Sequence, residues 1–311
     1  MNFDVKKFIE RESGKLRKKV GEERAIVATS GGVDSTACAV LAHRVLGNKL
    51  KVIFINDGLM RQDEGKSIKA LLNKNGINLL ILNKQRQFFT SLKGLIDPEE
   101  KRKAFRDIFY KVLGRAIKEW RTKFLIQGTI AADIVETKKK IKTQHNVLSQ
   151  IKIDPSKYGL EIIEPLKTIY KPEVRLVAKA LGLPAQIYKR MPFPGPGLLC
   201  RIVGEVTPQR VKIVREATQI VEKHLKPLRP FQAFAVLLSD KATGISKGKR
   251  LLGDIIVIRS VESEKALKAK PTQIPYSILN KLQKEITKNI PSVVKILYDL
   301  TPKPPSTIEY I

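Results

Sequence analysis

Apolar positions in the first two-thirds of the chain follow two alternating rhythms. Short continuous apolar runs, "AIVAT" (25–29), "LKVIFI" (50–55), "INLLIL" (77–82) and "FLIQG" (124–128), have the length and character of buried strands. The segments between them have helical length and period. In the first, Val33, Ala37, Val40, Leu41 and Val45 share one face and Gly47 supplies the stop. "KPEVRLVAKALGLP" (171–184) predicts another helix, closing at Gly182 and Pro184. Alternating strand and helix predict an α/β fold, a doubly wound parallel sheet covered on both faces.

The pattern changes at "RMPFPGPGLL" (190–199), where three prolines and two glycines break helix and sheet alike. A boundary is expected there, giving domains 1–190 and 191–311. Beyond it the periodicity predicts a helix near 208–224, strands at 231–238 and 251–261, a helix near 275–289 and a strand at 293–300. That makes a smaller α+β C-terminal domain.

Composition narrows the class. A chain of 311 residues, 42% hydrophobic, can bury a sizeable core. The charged opening "MNFDVKKFIERESGKLRKK" has no leader-like apolar stretch, and no run approaches the roughly 20 apolar residues of a membrane helix. A cytoplasmic protein with no membrane association is expected. Two cysteines, Cys38 and Cys200, and three scattered histidines, His43, His145 and His224, imply neither a disulfide framework nor a metal cluster. Lys plus Arg is 59 against 30 Asp plus Glu, a net charge of +29. A thermophilic surface raises Glu together with Lys. The one-sided excess, densest at "KKKIK" (138–142), also fits an anionic partner: nucleotide, RNA or an acidic protein.

The candidate chemistry starts at "ATSGGVDSTACAV" (28–40), where a strand, a Ser-Gly loop and a helix start follow one another. The Walker pattern fails, because no lysine follows the glycines. Ser30 and Ser35 offer hydroxyls, Gly31 and Gly32 allow close backbone approach, and Val33 and Asp34 open a helix whose free N–H groups favour an anion. Without the lysine, such a loop suits a pyrophosphate that departs intact. The structural alternative is a plain turn capped by Asp34. SGGVDS resembles the signature of the PP-loop ATP pyrophosphatases. That resemblance implies cleavage of ATP between its α and β phosphates, adenylylation of a substrate oxygen, and displacement of AMP by a nucleophile.

Longer stretches choose within that superfamily. "GLIDPEEKRKAFRDIFY" (94–110), "QGTIAADIVET" (127–137), "IKTQHNV" (141–147), "PFPGPGLLCRIVGEVTP" (192–208), "QAFAVLL" (232–238) and "YDLTPKPPSTIEY" (298–310) together resemble the ATP pyrophosphatase subunit of GMP synthetase, from about residue 4 to the C-terminus. The arrangement is similar to the archaeal one, in which the glutaminase is a separate chain. The resemblance implies that XMP attacks ATP, with Mg²⁺ on the released pyrophosphate, and that ammonia from the glutaminase then yields GMP. It further implies that Ser30 to Ser35 hold the pyrophosphate, with Asp34 a candidate Mg²⁺ ligand. Asp133 and Glu136, three apart, would handle ammonia and its protons. Lys142 and His145 match catalytic positions on a lid at about 137–152. Arg102, out of Lys101, Arg102 and Lys103, would reach XMP, together with Gln232, Lys303, Ile308 and Glu309. A homodimer built on the C-terminal domain is also implied.

The match has local departures. The family's paired histidines read Gln144-His145, and Lys138 to Lys140 replace a Gln-Gly stretch. Gly248 stands where "GDxR" has its acid, Lys295 where an arginine is expected, and Ile311 where a glutamate ends the chain. "FINDGLMR" (54–61) replaces the common "DTGLxR" or "DNGLxR". Two further readings therefore accompany the synthetase: a PP-loop paralogue that modifies an RNA base, suggested by the charge, and a protein without catalysis that recruits a partner.

Overall fold

A computed structural model describes residues 3–138, 160–246, 248–264 and 266–311. They form two compact units. The first is Met1–Asn56, Asp63–Lys84 and Asp107–Arg190; the second is Asp57–Gln62, Gln85–Arg106 and Met191–Ile311. The partition is not a single cut, because two short excursions, 57–62 and 85–106, belong with the C-terminal part.

The charged opening is a helix. Asp4 caps α1 (Val5–Val20) by accepting the Lys7 N–H at 3.0 Å, and Phe8, Glu12, Leu16 and Val20, spaced four apart, make its buried stripe. Arg17, Lys18 and Lys19 complement the dipole of its last turn. In the first unit follow β1 (Ala25–Ala28), α2 (Val33–Leu46), β2 (Leu50–Asn56), α3 (Glu64–Asn73) and β3 (Leu79–Asn83). The sheet then continues with β4 (Phe124–Ile126) and β5 (Glu161–Ile163). All pairs are parallel, in the order β3-β2-β1-β4-β5. This is the expected doubly wound sheet. The order reverses between β1 and β4, so the loops leaving these two strands part there and open the crevice in which such sheets bind ligands. Ala37 to Ala42 of α2 are all buried, and α1 and α7 (Lys171–Ala180) pack against that helix. β5 is too short and too exposed to give a periodic signal.

The second unit contains α4 (Gln85–Leu92), the first turns of α5 (Pro98–Trp120), α9 (Pro208–Leu225), β6 (Gln232–Ser246), β7 (Lys249–Glu262), β8 (Lys270–Pro271), α10 (Tyr276–Asn289) and β9 (Val293–Tyr298). The short helix α8 (Ala185–Tyr188) belongs to the first unit. β7 is central, antiparallel to β6 and β8 and parallel to β9. Residues 253–261 are buried on both faces, which explains the continuous apolar run at 255–258. The expected strand at 231–238 continues to Ser246. A register shift between Leu237 and Lys241 carries the pairing into "SDKATGIS", whose polar exposed residues hide the strand from periodicity.

Candidate active site

The loop after β1 lies at the reversal point of the sheet. Its hydroxyls form a closed cluster. Ser35 Oγ accepts the Ser30 N–H at 3.2 Å, contacts Ser30 Oγ at 3.2 Å and Thr29 Oγ1 at 3.3 Å, and donates to the Gly32 carbonyl at 3.2 Å. The Gly31 N–H reaches Thr29 Oγ1 at 3.2 Å. Gly31 adopts φ +80°, and a Cβ there would meet Ile68 at 2.9 Å and run into the Glu64 carboxylate. Gly32 is the N-cap of α2 and offers no capping side chain, so the dipole end of the helix carries its partial charge outward. The loop after β4 presses on this turn. A Cβ on Gly128 would meet the backbone of Asp34 and Ser35 at 2.9 Å.

A lysine from elsewhere in the chain reaches the loop. Lys171 Nζ, at the start of α7, pairs with Asp34 Oδ2. The other oxygen, Oδ1, is buried and has no hydrogen-bond partner among the described residues. In the sequence Lys171 is only the first residue of a predicted helix. A lysine at a helix N-terminus opposes the macrodipole, and that mismatch is the one signal it carries. Arg190 and Glu64, which no sequence motif singles out, form a second ion pair beside the loop. Asp133 lies in the first turn of α6 (Ala131–Lys138) and accepts the Ile130 N–H at 3.0 Å. Glu136 is on the same helix. Lys142 and His145 lie outside the described residues.

All five XMP-side candidates fall in the second unit. Gln232 Nε2 donates to Glu309 Oε1. Arg201 grips the same carboxylate with a fork, Nε to Oε2 at 3.1 Å and Nη2 to Oε1 at 3.0 Å. Arg201 is fully buried, its guanidinium 4.0 Å from the Phe234 ring centroid and 4.8 Å from that of Phe193. Arg61 covers Phe193 at 4.2 Å. Buried Ile308 packs with Val261 and Ala269. Lys303 Nζ donates to the Ala266 carbonyl at 2.8 Å, while its backbone pairs with Ala269. Arg259, fully buried, holds the C-terminal segment through the carbonyls of Thr301 (2.6 Å) and Thr307 (2.9 Å). Arg102 pairs with Glu99 on α5. Arg102 and Glu309 both act electrostatically on the buried Cys200 thiol, which burial above all pushes up to about 12. Lys101 is withdrawn from any ligand. It is completely buried, donates to the carbonyls of Ile202 and Gly204 at 2.9 Å each, and burial lowers it to about 8.

Asp57 is the departure with a measurable consequence. Its carboxyl is 3% exposed and accepts the Leu59 N–H at 2.7 Å. Burial raises its pKa to about 7, against the opposing pull of that N–H and of Arg215. A carboxyl raised in the fold contributes fully only below its unfolded value near 4, and stability is lost as pH rises from there through 7. Asp57→Asn keeps the acceptor and removes the charge. It is expected to raise stability by roughly 2–4 kcal/mol at pH 8 and to leave it nearly unchanged at pH 4. Urea melts at the two pH values check this.

A Ser-Gly loop without a Walker lysine, at the reversal point of a five-stranded parallel sheet, defines a PP-loop nucleotide-binding protein, and a family model of the PP-loop domain matches residues 5–184. A second model, GMP synthase C terminal domain, matches residues 219–310. Relatives that align along the full length are each named as one of the subunits of a glutamine-hydrolyzing GMP synthase. That of Methanopyrus kandleri is 46% identical over 99% of both chains. Those of Pyrococcus furiosus, 47% identical over 98% of this chain and 97% of its own, and Methanocaldococcus jannaschii, 43% over 99% of both, are similar in extent. The chain belongs to this family of GMP synthase subunits.

Proposed function

We propose that the chain is the synthetase subunit that converts XMP to GMP. The observation that carries this reading is that the PP-loop match and the GMP synthase C-terminal match lie on one chain, with relatives aligned along its whole length. ATP would place its β and γ phosphates on the Ser30–Ser35 loop, where the α2 N-terminus and Lys171 meet the growing charge of pyrophosphate. Asp34 fits Mg²⁺: its orphaned Oδ1 is a hard anionic oxygen, and this ion characteristically takes one or two carboxylates with phosphate oxygens. Bound there, Mg²⁺ would neutralise pyrophosphate.

On the acceptor side, Glu309, fixed by Arg201 and Gln232, suits a hydrogen bond from the purine ring. Lys303 and Arg102 supply cations for the nucleotide phosphate. Attack of the xanthine O2 on the α-phosphate releases pyrophosphate. Ammonia then adds at C2 and AMP leaves, with Asp133 and Glu136 as proton acceptors and Lys142 and His145 as further catalytic residues. A separate glutaminase chain would supply ammonia, the active form would be a homodimer, and the location cytoplasmic. Among the described residues no helix is long and apolar enough to cross a membrane.

The test is a steady-state assay with ATP, Mg²⁺, XMP and high ammonium. GMP, AMP and pyrophosphate are expected in equal amounts. ATP cleavage without GMP, in folded protein, would refute XMP as acceptor and turn attention to RNA.

A further inference from the structure

We propose that Arg190 and Glu64 are a positioning pair that aims the backbone donors of the Ser30–Ser35 loop. The inference rests on the pyrophosphate-loop reading above. Glu64, the first residue of α3, has a side chain only 4% exposed, so its charge needs a partner. Arg190 supplies it as a fork, Nη1 to Oε1 and Nη2 to Oε2. The same Nη1 also donates to the Gly31 carbonyl at 3.3 Å.

That third contact determines a direction. In a trans peptide the C=O and the following N–H point oppositely. Holding the Gly31 oxygen on the Arg190 side turns the Gly32 N–H to the other side of the loop. There its acceptor is Ser30 Oγ at 3.4 Å, a long contact that a phosphate oxygen can displace. Glu64 meanwhile blocks the space into which a Gly31 side chain would grow. A lone carboxylate beside a pyrophosphate site would repel the ligand. Paired with Arg190 it is electrically quiet and serves as a rigid floor. The pair shapes the loop without adding net charge.

The experiment titrates Mg-pyrophosphate calorimetrically into the full chain and its variants, with melting temperatures as the control for folding. Arg190→Gln both frees the Gly31 carbonyl and uncovers Glu64. Pyrophosphate affinity should fall at least about tenfold. Arg190→Lys keeps the charge but not the fork and should recover only part. The double variant Glu64→Gln with Arg190→Gln removes the repulsion and not the misalignment, so it should also recover only part. In the GMP assay the KM for ATP should rise while that for XMP stays put. Pyrophosphate binding by folded Arg190→Gln within twofold of the wild type overturns the inference, as does full recovery in the double variant, which would leave repulsion alone as the cause. Should Arg190→Gln fail to fold, the lysine and double variants give the same reading. Arg190-dependent pyrophosphate binding in a protein that makes no GMP would sink the acceptor assignment and leave this pair standing.

Discussion

Gly31→Ala should lower kcat/KM for ATP by roughly a hundredfold or more, through geometry and not through loss of any functional group. The residue sits at φ +80°, which costs an L-residue roughly 1–2 kcal/mol. Its new methyl would be driven into the Glu64 carboxylate and to 2.9 Å from Ile68. Glu64 is held by Arg190 and cannot retreat without breaking a buried pair. The loop must therefore lift, carrying the Gly32 N–H and the start of α2 off the phosphate. Gly32→Ala is the informative neighbour. Gly32 has φ −67°, and its Cβ would meet Ser30 Oγ at 3.4 Å, so the fold should accept it at little cost. Melting temperature should drop for Gly31→Ala and hold for Gly32→Ala, while ATP kinetics suffer in both. Near-normal kcat/KM for ATP in Gly31→Ala would remove this loop from the phosphate site.

Arg201→Met should cost about 3–5 kcal/mol of stability, the usual consequence of removing one partner from a buried ion pair. The guanidinium stacks between Phe193 and Phe234, and the Glu309 carboxylate it grips is left with Gln232. XMP binding should weaken in parallel, because the carboxylate loses its orientation. Arg201→Lys should not rescue it, since an ammonium neither forks nor stacks in the same way. Adding Glu309→Gln to Arg201→Met removes the stranded charge. Stability should then return in part while XMP binding stays poor. Equal recovery of both would show that Glu309 serves the fold alone.

Much of the first unit is legible in the sequence because parallel strands buried on both faces become continuous apolar runs. The loop is legible for a related reason: all its parts lie within seven consecutive residues. What completes it is not. Lys171 reaches Asp34 across 137 positions and Arg190 reaches Glu64 across 126, distances at which no spacing rule operates. The cations of "EEKRK" show the opposite error. Chemistry alone makes Lys101 a ligand candidate, but burial has committed it to two carbonyls. Glu309 and Gln232 stand out through resemblance, whereas the arginine that holds Glu309 in place is hidden in a stretch whose prolines dominate its pattern.

The repeated passage of the chain between its two units affects how the molecule is made. Synthesis delivers residues in order, and the first unit is complete once Arg190 has left the ribosome. By then two of the three pieces of the second unit, 57–62 and 85–106, are already out. The buried ammonium of Lys101 must wait about a hundred residues for Ile202 and Gly204, and the turn at Gly58 to Met60 longer still for Arg215. A gene cut at the proline-rich stretch would therefore strand these pieces on the wrong fragment. The two halves could not be exchanged between genes as beads on a string.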